Sequence, residues 1–379
     1  MTGRGRALLI IAAGALYSGL SLGGRMFYLS AVFAVLALLF SLITLLAARR
    51  ALSITCQVAP VQLPRGEKAR LRIRLYQHGF VPIAPVALTV QAGGLPEEHL
   101  VPLRHGGAAL ELEFGAPHVG EVDVGVTQAF ISDILGLFRL SLSCREASAT
   151  LLVLPRSFEV APLRFLQGEE GRAAQNRTTE DLSSPEDTRA YRSGDALKRV
   201  HWKLTARKRE LTVRKFETPA PPDTLILLDC AVPAGTPEQA AALRDALCET
   251  ALSVAEIQAR SDAPVRVPFY GQAANEFLSD RGGSVAMLSE MLARQPFAGG
   301  IAFSRVLGAE LRRMRRTGAT VIVTTRLDAD IVEGVRHIRR MGPSARFYYI
   351  TFTPEAPEDR PYVAQLQQSM VEVCYVTPA

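Results

Sequence analysis

Asp195, His201 and Asp229 are the residues whose side chains could exchange protons with a substrate. Two carboxylates around an imidazole are raw material for hydrolysis, since a hydrolase needs an acid and a base within hydrogen-bond reach of the reacting group. None of the three sits in a GxSxG, HExxH, P-loop or GxGxxG sequence, the spacings that would aim such groups at a nucleophile, metal or phosphate. His201 stands beside Trp202 in a basic stretch, the setting of a surface or packing histidine. Asp229 is distinguished by its place. It ends the apolar run LILLD (225–229), and the carboxyl ends of strands are where open α/β sheets bind ligands. Metal chemistry has less support. Cys56, Cys144, Cys230, Cys248 and Cys374 are scattered without a CxxC pair and read as buried or free thiols in a reducing compartment. His78, His99, His105 and His118 have no tight ligand spacing.

Charge directs attention to a second region. The 379-residue chain carries a formal net charge of +6, a mild excess that does not separate a nucleic-acid binder from a protein lying against an anionic membrane. The excess is local. RAYRSGDALKRVHWKLTARKRELTVRK, residues 189–215, holds ten Lys or Arg against Asp195 and Glu210, and contains the single tryptophan, Trp202. Ser193-Gly194-Asp195 has the composition of a helix cap, and Leu211 and Val213 alternate with Thr212 and Arg214 as in a strand.

Three kinds of element must position these residues. Residues 7–24 are uncharged, and after Arg25 a second uncharged run extends over 26–48, long enough to cross a hydrocarbon core as a helix. Arg4 and Arg6 precede the pair and Arg49 and Arg50 follow it, so the positive-inside bias predicts a hairpin with both flanks and the large remainder in the cytoplasm. A cleaved signal peptide is the rival reading of the first run, opposed by the absence of a small-x-small cleavage site and by the spanning run that follows at once. After Arg50 the period becomes two. ARLRIRLY, VALTV, LELEF, EVDVGV and FRLSLSC alternate, with weaker strands at SITCQV and TLLVLP, and Pro and Gly punctuate them; about seven short strands of this kind predict a β-sandwich over 51–155. Residues 156–222 are a polar linker followed by the basic segment. From 223 to 379, strands (LILLD, PVRVPFY, ATVIVTT, RFYYITF, VEVCYV) alternate with helical patterns at 236–260, 284–294, 303–316, 329–341 and 361–368, which predicts a mostly parallel, doubly wound α/β sheet.

The basic segment resembles the signature of the bacterial domain of unknown function 58 family. The matching residues are Tyr191, Gly194, Asp195, Arg199, Trp202, Ala206, Arg207, Leu211, Val213, Phe216 and Glu217, and the β domain ends in a DxxGLF-like segment at Asp133, Gly136, Leu137 and Phe138. The resemblance implies a multidomain membrane protein: a transmembrane hairpin over 1–50, the β-sandwich, and a von Willebrand factor A-like α/β domain over 223–379. It implies no established reaction. Members look like membrane-anchored partners of MoxR-type AAA+ ATPases and often accompany transglutaminase-like membrane proteins.

An A-type site would hold Mg²⁺ with an Asp-x-Ser-x-Ser loop after its first strand plus a Thr and an Asp from later loops, because hard oxygen donors suit that ion. Here the loop reads Asp229-Cys230-Ala231-Val232-Pro233, and Arg326-Leu327-Asp328 puts a cation where the field of a divalent ion should be. Gly299-Gly300-Ile301 lacks the Thr, with Ser304 nearby. The expectation is therefore no cofactor, with Asp229 satisfied by a helix N-terminus or an arginine.

The leading expectation is a nonenzymatic scaffold at the cytoplasmic face of a bacterial inner membrane, engaging a MoxR-type ATPase through Tyr191, Gly194, Asp195, Arg199, Trp202, Arg207, Phe216 and Glu217. Arginine forks pair with carboxylates and a tryptophan anchors interfaces. The plainer alternative has Tyr191, Trp202 and Phe216 pinning the linker to its domain, with Arg199 and Arg207 paired to Asp195 or Glu217. Two rival functions remain: a hydrolase built on Asp195, His201 and Asp229, and a basic-patch binder using Lys198, Arg199, Lys203, Arg207, Lys208 and Arg209. Anionic lipid suits such a patch better than nucleic acid, since only one aromatic is interleaved for base stacking.

Overall fold

The computed structural model describes residues 1–22, 24–79, 81–103, 107–144, 147–161, 187–191, 200–215, 223–261, 263–270, 275–279, 284–298, 300–314 and 317–378. The chain forms two units, Met1–Leu154 and Pro155–Ala379.

The first unit opens with α1 (Gly3–Leu22) and α2 (Arg25–Ala51), both long and apolar enough to cross a membrane. Small residues let the two helices approach: Gly19 faces Tyr28, where an added Cβ would stand 3.3 Å from the ring. Outward they expose Ile10, Ile11, Phe33 and Phe40.

The strands follow as β1 (Leu52–Ala59), β2 (Gln62–Pro64), β3 (Lys68–Gln77), β4 (Val86–Gln91), β5 (Glu97–Val101), β6 (Gly107–Gly115), β7 (Gly120–Ser132), β8 (Arg139–Ser141) and β9 (Ser148–Leu154). One sheet runs β1-β3-β6 and is antiparallel; the other runs β2-β9-β7-β4-β5, with β8 on β7. The alternation read from the sequence fixes which face is dry. Leu71, Ile73 and Leu75 of β3 are buried, while Arg70 and Arg72 point outward and pair with Glu113 and Glu111 of β6. Both sheets contribute to one core, in which Leu71, Ile73 and Leu75 meet Leu88, Ile131 and Leu151. The last turns of α2 join it: Leu45 and Ala48 are fully buried there. The C-terminal end of the second apolar run is thus apolar because it packs on protein.

The second unit is a six-stranded sheet of β12 (Asp223–Leu228), β13 (Val265–Phe269), β14 (Asn275–Ser279), β15 (Thr317–Thr324), β16 (Ser344–Ile350) and β17 (Glu372–Val376) in the order β14-β13-β12-β15-β16-β17. Every pairing is parallel except β13 with β14. The helices are α4 (Pro237–Arg260), α5 (Ala286–Arg294), α6 (Phe303–Leu311), α7 (Ala329–Arg340) and α8 (Arg360–Gln368). Leu225, Leu227, Ile322, Phe347 and Tyr349 face a core shared with α6, α7 and α8, while α4 lies against β12, β15 and β16, so both faces of the sheet are covered. The start of α4 follows its sequence closely. Thr236 accepts from the Gln239 N–H and the Gln239 side chain accepts from the Thr236 N–H, a capping box with Pro237 in the first turn. The helix expected over 303–316 ends earlier, at Leu311.

A small piece precedes this sheet: β10 (Asp187–Ala190) pairs antiparallel with β11 (Thr212–Lys215), and α3 (Trp202–Lys208) lies between them in sequence.

Candidate functional site

From β12 the chain steps to β13 on one side and later returns to β15 on the other, so the sheet order reverses between β12 and β15. This is where open α/β sheets bind ligands, because the loops on the two sides diverge and leave a crevice. Asp229 follows β12 at that point, and Thr324 and Arg326 stand at the end of β15.

The crevice is closed by an internal ion pair. Arg326 donates from Nε to Asp229 Oδ2 at 3.0 Å and from Nη2 to Oδ1 at 2.9 Å, a two-point fork. Thr324 donates its hydroxyl to Oδ2 at 2.7 Å and the Ala231 N–H donates to Oδ1 at 3.1 Å. The Asp229 side chain is only 3% exposed, whereas that of Arg326 is 41% exposed. Both carboxylate oxygens are spoken for, and the donors present do not fit Mg²⁺. The loop offers Ala231 where an oxygen would be needed, the neighbouring charge is positive, and among the described residues no group of three His, Cys, Asp or Glu converges. Beside Asp229 lies a cavity of about 120 Å³ lined chiefly by Leu228, Tyr270, Ile301, Phe303 and Val306, below the usual size of a ligand pocket. Cys230 lines it too; burial, reinforced by the Asp229 charge, pushes its thiol up to about 12. It is not a nucleophile near neutral pH.

Behind this cavity lies a network that the sequence did not announce. Glu310 of α6 is completely buried and accepts from Tyr270 Oη at 2.5 Å, Arg266 Nη1 at 2.7 Å and Arg313 Nη1 at 2.9 Å. Glu276 of β14 accepts from the same two arginines at 2.9 Å each, and Asp223 lies 3.4 Å from Arg266 Nε. Burial alone would raise the Glu276 carboxyl; the two arginines outweigh it and hold it below the ordinary carboxylate range. Burial and the Glu310 carboxylate raise the Tyr270 phenol. The available signal was one arginine inside the otherwise apolar strand PVRVPFY.

The basic segment is partly described. His201 caps α3: its Nδ1 accepts from the Leu204 N–H at 3.2 Å, and its own N–H donates to Thr212 O. α3 ends at Arg209, in the left-handed conformation (φ 58°), and the chain turns back into β11. Thr212 N–H donates to the Thr205 hydroxyl and Tyr191 N–H to Leu211 O, so α3, β11 and the Tyr191 strand end are stitched together. Val200 and Thr212 are buried beneath; Tyr191 is half-buried. Trp202 is 64% exposed, with Lys203 and Arg207 exposed on the same short helix and Leu211 exposed at its far end. Gly194, Asp195, Arg199, Phe216 and Glu217 lie outside the described residues, as do Lys198, His105 and Gly299. Asp229 and His201 each have their own local hydrogen-bonding role, one in the ion pair and one in the helix cap.

Residues 187–342 match the family described as a protein of unknown function, DUF58. This segment is a DUF58 domain. The match covers all eleven signature residues and both members of the Asp229–Arg326 pair. No curated protein matches the chain. Among solved structures it is similar to Cwp6 from Clostridium difficile, at 9% identity over 86% of this chain and 53% of that one, with a TM-score of 0.20. The chain thus spans about half the length of that protein. Within the DUF58 domain the described residues present two contrasting places: a closed, charge-neutralised crevice at the switch point, and an open basic helix bearing an exposed indole.

Proposed function

We propose that this protein is a membrane-anchored, nonenzymatic docking protein in which the hairpin holds a β-sandwich and a von Willebrand factor A-like DUF58 domain at the cytoplasmic face of a bacterial inner membrane, and α3 engages a protein partner. A MoxR-type AAA+ ATPase is the candidate partner; a transglutaminase-like membrane protein is the candidate neighbour within the bilayer.

One observation carries this reading. The only tryptophan of the chain is 64% exposed on a basic helix, flanked by Lys203 and Arg207. An exposed indole beside arginine is the composition of an interface anchor, since the rigid indole buries a large area and the planar guanidinium pairs bidentately with carboxylates. It also weighs against Trp202 pinning the linker from within. The hydrolase alternative loses support from geometry, because Asp229 is neutralised by Arg326 and His201 Nδ1 is occupied by a helix N–H. Arg4, Arg6, Arg49 and Arg50 at the two flanks support the cytoplasmic side.

Co-purification of the detergent-solubilised full chain with the ATPase, wild type against Arg207→Glu, tests the partnership. Retention by wild type and loss in the variant is expected; no association with either overturns it. Retention abolished by moderate salt, and replaced by binding to anionic vesicles, would favour a lipid-binding basic patch instead.

A further inference from the structure

The first unit contains a turn that carries two exposed aliphatic side chains next to the two apolar helices. Between β7 and β8 the sequence Asp133-Ile134-Leu135-Gly136-Leu137-Phe138 folds back on itself, with the Gly136 N–H donating to Asp133 O at 2.9 Å and Gly136 in the left-handed region (φ 68°). Its two tip residues are bare: Ile134 is 64% and Leu135 is 52% exposed.

Both helices hold this turn. Asp133 is buried and accepts from the Ser41 hydroxyl of α2 at 2.7 Å and from the Phe138 N–H at 2.7 Å. Thr2, just before α1, donates its N–H to Leu137 O at 2.9 Å, and its hydroxyl lies 2.6 Å from Gly136 O. Gly5 is buried against the same turn, where an added Cβ would overlap the Leu137 carbonyl. The Arg4 side chain passes over Gly136.

Helix arithmetic fixes the level of these contacts. At 1.5 Å per residue α1 is about 30 Å long, roughly one hydrocarbon thickness, so its first residues stand near a bilayer boundary. Ser41 lies ten residues before the end of α2 at Ala51, about 15 Å up the helix, level with the start of α1 and not with the end of α2. Below Ser41, Leu45 and Ala48 are covered by the sheets. The turn therefore sits where the spanning part of the hairpin ends, beside the exposed Arg4 and Arg6, which suit the headgroup layer.

We propose that the Asp133–Phe138 turn is a membrane-seated wedge, with Ile134 and Leu135 inserted at the headgroup–acyl boundary next to the start of α1. The occupant of this bare apolar tip is the lipid leaflet that the hairpin already crosses. The wedge gives the β unit a third attachment and fixes its orientation to the membrane plane, with the Ser41–Asp133 hydrogen bond setting its depth. This rests on the spanning reading of α1 and α2.

Single-tryptophan reporters in a Trp202→Phe background separate the two ideas. The full chain is reconstituted in phosphatidylcholine vesicles with acyl chains brominated either near the headgroup or near the chain end. Phe33→Trp reports the hairpin centre, Leu95→Trp an exposed β4–β5 tip, and Leu135→Trp the wedge; all three replace exposed side chains, so folding is not at stake. The expectation is strong quenching of Leu135→Trp by shallow bromines, of Phe33→Trp by deep ones, and none for Leu95→Trp. Quenching of Phe33→Trp with none of Leu135→Trp overturns the wedge and leaves the hairpin standing. No quenching of either overturns both. A Leu135→Trp reporter shielded from bromine and from aqueous acrylamide alike means that protein covers the tip, which also overturns it.

Discussion

Removing Arg326 tests whether the switch-point carboxylate depends on it. The Asp229 side chain is 3% exposed and the Arg326 side chain 41% exposed, so the partners are not equivalent. Arg326→Ala strands a carboxylate with only the Thr324 hydroxyl and the Ala231 N–H. Breaking a fully buried pair costs about 3–5 kcal/mol, and discounting for the solvent-reachable arginine gives about 2 kcal/mol. Asp229→Asn keeps a hydrogen-bond acceptor and frees an arginine that can turn to water, so it should cost about 1 kcal/mol. The double variant should cost less than the sum of the singles by about 1 kcal/mol. Pulse proteolysis of the full chain across a urea series follows the two units by fragment size. With a slope of about 2 kcal/mol per molar, Arg326→Ala should lower the midpoint of the second unit by about 1 M. Additive single effects, or a shift in Arg326→Ala no larger than in Asp229→Asn, would refute the reasoning. A midpoint raised in the wild type by millimolar Mg²⁺ would show that an ion, and not Arg326, is the natural partner.

Further outcomes follow from the cores and the buried charges. Leu45→Ala should destabilise the first unit by about 2–5 kcal/mol through a cavity in the shared core, whereas Leu46→Ala, 47% exposed, should leave it nearly unchanged; the same proteolysis series compares them. Glu276→Gln should cost about 1–2 kcal/mol at neutral pH by loosening Arg266 and Arg313. Because the Glu276 carboxyl is held below its unfolded value, its contribution is complete above about pH 4.3 and is lost as pH falls through the depressed value, so the difference between wild type and Glu276→Gln should shrink in urea series below about pH 4.

What the sequence revealed and what it hid divide along a physical line. Local patterns were legible. The alternation in ARLRIRLY placed Leu71, Ile73 and Leu75 inside, Thr236-Pro237-Glu238-Gln239 started α4 where a capping box should, and the carboxylate that ends LILLD lay at the switch point of the sheet. Contacts between distant residues were harder. Composition allows either an arginine or a helix N-terminus as the partner of Asp229 and does not single out Arg326, 97 positions away. Ser41 and Asp133 are 92 apart and each looked ordinary in its own segment. An apolar run does not reveal what covers it, so lipid-length residues 26–48 concealed that Leu45 and Ala48 belong to the sheet core. Short edge strands such as β2, β5 and β14 carry too few residues for a period to show. Arg266 interrupts the apolar strand PVRVPFY, whereas Glu310 looks ordinary in its amphipathic helix, so only one side of the buried ion network left a mark in the sequence.

The central claim is that α3 is a docking surface and not part of a catalytic site. The direct measurement is the affinity of the purified ATPase for the full chain in lipid nanodiscs, wild type against Trp202→Ala, alongside thermal stability. An exposed anchor should cost about 2 kcal/mol of binding when truncated, roughly thirtyfold in Kd, with little change in stability because Trp202 is 64% exposed. Unchanged affinity in the variant, or no binding by the wild type, would contradict the account.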